Sequence, residues 1–134
     1  MCIRDRFEQR AWPRALFERF NVEVLATTDA ATDDLPWHRQ LKDSGWSGRI
    51  LTTYRPDAVV DPDFQGFADN VAKLGEMTGE DVSGWPGYLA AHRGRRAYFK
   101  SFGATATDHG HASARTADLT PAEARALYLS LIHI

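Results

Sequence analysis

The chain has 134 residues, of which 43% are hydrophobic and 25% charged, a composition typical of one small globular domain. Its net charge of −2 gives no reason to expect a nucleic-acid or membrane partner, and no apolar run is long enough to cross a bilayer. A single cysteine, Cys2, cannot form an internal disulfide, and the first residues lack the apolar core of a secretory signal. We therefore expect a cytoplasmic protein.

Hydrophobic spacing and turn residues predict eight secondary-structure elements. In chain order these are a helix over 8–20, a buried strand over 22–28, a short helix over 36–45, a strand over 49–57, helices over 61–79 and 80–103, a short strand over 104–110 and a helix over 119–128. Asp33 or Asp34 is suited to the N-cap position of the second helix. The spacing of Thr120 and Glu123 predicts a capping box at the start of the last helix. The alternation predicts βα units on a parallel sheet.

The two ends of the chain are related through the genetic code. One set of codons for LSLIHI, residues 129–134, is the reverse complement of a sequence that encodes the first five residues, MCIRD. Such complementarity is typical of a transposase adaptor from sequencing-library preparation that has been translated at both ends of an insert. We predict that 1–6 and 129–134 are adaptor-derived and that 7–128 is an internal piece of a longer protein, which we call the full-length parent.

Polar side chains follow each predicted strand. The carboxyl ends of parallel strands meet at one edge of a sheet, and ligands bind there. The three predicted strand ends together carry one cation, three carboxylates and two histidines: Arg55, Asp29, Asp57, Asp108, His109 and His111. The sequence therefore predicts a binding site at this edge.

Arg55 and the first two aspartates each have a structural alternative. The planar fork of Arg55 would suit a substrate carboxylate, which it binds through two parallel hydrogen bonds. An arginine before a proline at a strand end can equally pair with a neighbouring carboxylate. Asp29 and Asp57 are more typical of turn formers than of catalysts.

The histidines differ in how well their context supports a role. His109 is the strongest candidate, because Asp108 would orient it at a strand end, whereas His111 is predicted to be a loop residue. His38, on a helix that looks exposed, and His92, on one that looks half-buried, are assigned no role. A metal site built on His109 and His111 alone would lack ligands, since zinc usually takes three or four from the protein.

Three stretches resemble a known family, in order and over nearly all of 7–128: RFNVEVLATTDAATDDLPWHRQL, YRPDAVVDPDFQGFADNVAKLGE and FKSFGATATDHG. They are similar to the uronate isomerases (glucuronate isomerases) of the amidohydrolase superfamily. Members of that family carry TTD before an aspartate-rich turn, then an aromatic residue with RPD, then Ser or Thr with DH. The resemblance implies an α/β fold, namely several βα units of an incomplete (β/α)8 TIM barrel.

The resemblance also implies an activity. It is the interconversion of D-glucuronate with D-fructuronate, and of D-galacturonate with D-tagaturonate, an aldose–ketose isomerisation of hexuronate catabolism in which a proton moves between C1 and C2 through an enediol. A divalent metal is expected in the full-length parent, where an early His-x-His and a late Asp would bind it; both lie outside this segment. The segment alone is expected to be inactive, and the parent to be a homo-oligomer with a small-molecule hexuronate as substrate.

By the same resemblance, Arg55 is the expected clamp for the uronate carboxylate. His109, with Asp108, is the expected contact to substrate hydroxyls; no metal ligand and no catalytic residue is assigned within the segment. One alternative is another amidohydrolase-like barrel, a hydrolase that activates water with a metal and needs no carboxylate clamp. A second alternative is a small binding module complete in itself, which would require both ends to be natural.

Overall fold

The structure, a computed structural model, describes residues 12–110 and 116–132 and has a mixed α/β architecture. In chain order the elements are α1 (Trp12–Arg19), β1 (Val24–Ala30), α2 (Pro36–Asp43), β2 (Arg49–Arg55), α3 (Asp57–Val60), α4 (Phe67–Thr78), α5 (Trp85–Ser101) and α6 (Pro121–Ile132). The predicted alternation of helices and strands is confirmed from α1 to β2. No helix in the described ranges combines the length and the apolar character that a bilayer crossing requires.

β1 and β2 form a two-stranded parallel sheet. Val24 lies opposite Arg49 at one end of the register, and Ala30 lies opposite Arg55 at the other. The predicted parallel pairing is therefore confirmed, and the carboxyl ends of both strands lie side by side.

The third predicted strand, 104–110, is reduced to one parallel bridge between Thr107 and Tyr54. Two backbone hydrogen bonds hold it: Tyr54 donates to Ala106 at 3.3 Å, and Asp108 donates to Tyr54 at 3.0 Å. Within the described residues the only β-bridge of this stretch is the one to Tyr54 of β2, so the pairing is too short to form a strand. The prediction of a full strand is wrong, but the bridge still brings Asp108 to the end of β2.

Burial of the first strand was also predicted wrongly. Val24 and Leu25 of β1 are 39% and 44% exposed. No described core residue belongs to β1, whereas β2 contributes Tyr54 to the core.

The core lies between β2 and helices α3 to α5. Its most deeply buried apolar side chains, all at 2% exposure or less, are Ala31, Leu35, Tyr54, Val59, Val71, Leu74, Ala91 and Phe99. The rings of Tyr54 and Phe99 meet edge to face, with centroids 5.1 Å apart, so α5 packs on the face of β2 from which Tyr54 projects.

The start of α2 differs from the prediction. Leu35 takes the N-cap position with φ 53°, and neither Asp33 nor Asp34 caps the helix through its side chain. The Asp33 carboxylate instead accepts a hydrogen bond from the Leu35 N–H at 2.6 Å and closes a local turn before the helix.

Other helix boundaries follow local chemistry. The predicted helix over 61–79 begins only at Phe67, because Gly66 adopts φ 75°, and it ends before Gly79 at φ 71°. The capping box is confirmed: the Thr120 N–H donates to Glu123 at 2.8 Å, and the Glu123 N–H donates to the Thr120 hydroxyl at 3.3 Å.

The last helix runs further than predicted, to Ile132, because Leu131 and Ile132 pack against the core. The first predicted helix, 8–20, appears as α1 from Trp12, and residues 8–11 lie outside the described ranges. The adaptor origin of 1–6 and 129–134 stays a prediction.

Candidate functional site

Arg55 occupies the last position of β2, and its side chain is 43% exposed. Its Nε donates to Asp57 Oδ2 at 2.5 Å, and its Nη1 lies 3.5 Å from Asp108 Oδ2. Asp57 follows Pro56 as the first residue of α3, so its carboxylate turns back towards the end of the strand. The hydrogen bond to Asp57, together with the negative charges of Asp57 and Asp108, raises the pKa of the Arg55 guanidinium.

Asp108 reaches this cluster through the bridge after α5. Its carboxylate accepts a hydrogen bond from the Thr28 hydroxyl of β1 at 3.4 Å. The same carboxylate also contacts the Arg55 guanidinium. The structure therefore brings together side chains from all three predicted strand ends, as expected for parallel strands.

The backbone of Gly110 can approach the cluster closely because this residue carries no side chain. Its N–H donates to both carboxylate oxygens of Asp57, at 3.0 and 3.1 Å. A Cβ at this position would lie 2.5 Å from Arg55 Nη2 and 3.0 Å from Asp57 Oδ2, so any other residue would displace one of them.

The predicted histidine pair is only partly described. His109 is exposed and lies in the chain between Asp108 and Gly110, both of which contact the Arg55–Asp57 pair. The contacts found for the Asp108 carboxylate are with Arg55 and Thr28. His111 lies outside the described residues.

A second polar cluster was missed by the sequence patterns. The Asp29 carboxylate accepts hydrogen bonds from the hydroxyls of Thr27 and Thr52, both at 2.7 Å. His38 Nε2 lies 3.0 Å from the Thr27 hydroxyl and 3.8 Å from Asp29. Asp29 therefore links both strands to α2, which corrects its interpretation as a turn former.

His38 is 9% exposed, so its placement on an exposed helix face was wrong. The signal was present in the sequence: His38 lies three residues before the apolar Leu41, which puts both side chains on one face of α2.

The two clusters lie on opposite faces of the sheet, because successive side chains of a strand alternate. Asp29 pairs in register with Tyr54, whose ring packs on α5, so Asp29 points towards the helices. Thr28 and Arg55 belong to the alternate set and project from the other face together with Asp108. Asp29 therefore lies on the helix-covered face, whereas the side chains of Arg55 and Asp108, each 43% exposed, lie on the other.

The described residues do not form a metal centre. Across 12–110 and 116–132, no group of three or more His, Cys, Asp or Glu side chains is placed to hold a metal ion. Asp29 and His38 form only a pair, and the Asp57–Asp108 pair is neutralised in part by Arg55. The carboxylates near the strand ends thus pair with a cation or with hydroxyl donors.

Comparison with known proteins places this geometry in a family. The sequence matches the family model described as glucuronate isomerase over residues 5–133. Two similar relatives are the uronate isomerases of Rhizobium meliloti, 66% identical, and Mesorhizobium japonicum, 65% identical, each over 116 residues. Each alignment covers 87% of this chain and 25% of the relative, so the chain spans about a quarter of the length of these relatives.

Solved structures agree with the sequence match. The crystal structure of glucuronate isomerase from Caulobacter crescentus superimposes with a TM-score of 0.87 at 47% identity, over 93% of this chain and 26% of that one. Uronate isomerase from Thermotoga maritima superimposes with a TM-score of 0.84 at 33% identity, over 90% and 27% of the two chains. Because the family model covers nearly the whole sequence, the chain belongs to the glucuronate isomerase family.

Proposed function

We propose that the full-length parent interconverts D-glucuronate with D-fructuronate, and D-galacturonate with D-tagaturonate. The reaction moves one hydrogen from C2 to C1 and the C2 hydroxyl proton to the C1 oxygen, so it needs no external oxidant or reductant. Family membership supports this reaction class over the metal-dependent hydrolase considered from the sequence.

The observation that carries the proposal is the position of Arg55. A hexuronate has a carboxylate at one end, and a fixed guanidinium is the group best suited to bind it. Arg55 stands at the carboxyl end of a parallel strand, is 43% exposed, and projects from the face of the sheet opposite the helices.

Asp57 and Asp108 prepare Arg55 for this role. They contact the guanidinium through Nε and Nη1, and a guanidinium carries more donors than these two contacts use. Holding the long side chain in one orientation before binding lowers the entropy that the substrate must offset.

Asp108 and His109 are proposed to bind the sugar hydroxyls. The Asp108 side chain is 43% exposed and acts as an acceptor, and His109 is exposed beside it. A hydroxyl both donates and accepts, so a carboxylate and an imidazole next to the carboxylate clamp are suited to bind the hydroxyls of the sugar.

The same proposal also concerns the fold, location, partners and metal of the full-length parent. The parent would be a (β/α)8 barrel in which β1, β2 and the stretch at Thr107 are successive parallel elements. It would be cytoplasmic and homo-oligomeric, and it would act on a small molecule without a nucleic-acid or membrane partner. A divalent metal, if the parent binds one, would take its ligands from regions outside this segment and would polarise the substrate oxygens at C1 and C2.

The test is Arg55→Ala in the full-length parent. Loss of a charge-assisted bidentate contact should remove roughly 1.5–3 kcal/mol of transition-state binding and lower kcat/KM for glucuronate by about 10- to 150-fold. Arg55→Lys should recover only part of the loss, since a lysine ammonium lacks the fork.

Arg49→Ala is the matched control, because Arg49 is an exposed arginine at the opposite end of the same strand. Its kcat/KM should stay at the parent value. Normal glucuronate turnover by Arg55→Ala would remove Arg55 from the site.

A further inference from the structure

Arg95 of α5 is a buried cation whose partners are main-chain oxygens. It is 5% exposed; its Nε donates to the Ala31 carbonyl at 2.8 Å and its Nη2 donates to the Asp33 carbonyl at 2.6 Å. Its guanidinium carbon also lies 4.4 Å from the centre of the Tyr98 ring. Among the described residues Arg95 forms no ion pair, so two carbonyls and an aromatic face compensate its loss of water.

The two carbonyls belong to the loop 31–35, which follows the carboxyl end of β1. This loop holds an unfavourable backbone conformation, because Leu35 has φ 53°, where the Cβ of any residue other than glycine is crowded by the backbone. The Tyr98 hydroxyl binds the same loop, donating to the Asp34 carbonyl at 2.6 Å. α5 therefore enforces the shape of the loop at three positions.

Ala31 connects this loop to the candidate site. Its N–H donates to the Arg55 carbonyl at 2.9 Å, while its own carbonyl accepts from Arg95. Ala31 is 1% exposed, so water does not compete for either bond. A single residue thus links the buried guanidinium of Arg95 to the main chain of Arg55.

We propose that Arg95 is a positioning residue, which fixes the loop 31–35 and through Ala31 holds Arg55 in the orientation that binds the substrate carboxylate. This inference rests on the proposed role of Arg55. Its distinguishing consequence is that substituting Arg95 should change the kinetics of the reaction only when Arg55 is present.

The experiment is a double-mutant cycle in the full-length parent with Arg95→Met, Arg55→Ala and the combination. Methionine keeps an unbranched apolar side chain but removes the donors to Ala31 and Asp33. Arg93→Met is the matched control, because Arg93 is an exposed arginine of the same helix. Kinetics are measured well below the melting temperature of each variant.

Arg95→Met should lower kcat/KM for glucuronate by about ten-fold or more, chiefly through KM, and Arg93→Met should leave it unchanged. In the Arg55→Ala background, the further loss from Arg95→Met should stay within about two-fold, since the two residues act as a unit. Arg95→Met should also weaken competitive inhibition by a hexonate and leave inhibition by the hexitol of the same length unchanged, a selectivity that a purely structural role would not produce.

Arg95→Lys gives a second route if the methionine variant does not fold. Lysine keeps the charge but not the fork, so its loss should be smaller and should vanish in the same way in the Arg55→Ala background. Losses that multiply independently of Arg55, or a folded Arg95→Met variant with parent kinetics, would overturn the inference. A parent without isomerase activity, or an Arg55→Ala variant with normal kinetics, would instead overturn the proposed function.

Discussion

Three aspartates near the ends of β1 and β2 have different partners because of where their side chains project. Asp29 points towards the helices and accepts from two threonine hydroxyls, at 2.7 Å each. Asp57 and Asp108 lie on the other side, where each contacts Arg55. A shift of one residue along a strand exchanges these two faces, so register decides which side chains face the helices and which face away from them.

Burial changes the pKa of His92, a titratable residue that lies away from the candidate site. It is 4% exposed, more buried than predicted, and its Nδ1 lies 2.9 Å from the Tyr54 hydroxyl. Burial, reinforced by the positive charge of Arg96, lowers the pKa of His92 from 6.5 to about 4. The folded protein therefore holds this imidazole neutral at neutral pH.

This lowered pKa predicts that stability falls as the solution becomes acidic. Between pH 6.5 and about 4 the unfolded chain binds a proton at His92 that the folded chain does not, so the free energy of unfolding should drop across that window, by up to roughly 3 kcal/mol. Denaturant unfolding of the parent at a series of pH values measures the slope. His92→Phe keeps a packed ring without a titrating group and should flatten this part of the profile; an unchanged slope would assign the acid sensitivity to other groups.

Glycine occupies two different structural positions in helices α4 and α5. Gly79 ends α4 with φ 71°, where its N–H donates to the Gly75 carbonyl, whereas Gly94 lies inside α5 with an ordinary helical backbone. A Cβ at Gly94 would meet only Thr78, at 3.5 Å, which is a normal contact distance.

The same substitution should therefore have opposite signs at these two glycines. Gly79→Ala should destabilise the parent by about 1 kcal/mol, because alanine is strained in the left-handed region. Gly94→Ala should stabilise it by roughly 0.5–1 kcal/mol, because alanine loses less backbone entropy in a helix interior. Melting temperatures of the two variants test this, and shifts of the same sign would contradict it.

At the scale of the whole molecule, the surface beside β1 is more apolar than the strand ends. Helices α1 and α2 present large apolar side chains there, with Phe20 just after α1 at 72% and Trp37 at 73% exposure. Leu25 of β1 lines the same apolar surface. The chain spans about a quarter of its relatives, and in the proposed full-length parent further segments would be available to cover such a surface.

We predict that the 134-residue segment produced alone has no measurable uronate isomerase activity. Arg55, Asp108 and His109 would be present, but the remaining barrel strands and the expected metal ligands would be missing, and the apolar side chains beside β1 would face water. Turnover of glucuronate by the segment, with the full-length parent prepared in parallel as the positive control, is the measurement. Activity of the segment alone would mean that the site is complete within it.

Local chemistry made much of this architecture predictable. The capping box at Thr120, the left-handed stop at Gly79 and the parallel pairing of β1 with β2 follow from residue types and spacing within short windows. The meeting of Arg55 with Asp108 was also predictable, because parallel strands bring their carboxyl ends to one edge. The family itself was recognisable from three short motifs.

Other features depend on contacts between residues far apart in the chain. The exposure of β1 follows from which elements cover the sheet, and the burial of His38 follows from the packing of α2 against β1 and β2. The bonds from Arg95 to Ala31 and Asp33 span 64 and 62 residues. The sequence by itself determined the family, most of the elements and the residues at the strand ends, because these depend on neighbours in the chain. Only the tertiary structure decided which face each carboxylate occupies and which buried cation holds the loop beside Arg55, because packing brings those groups together.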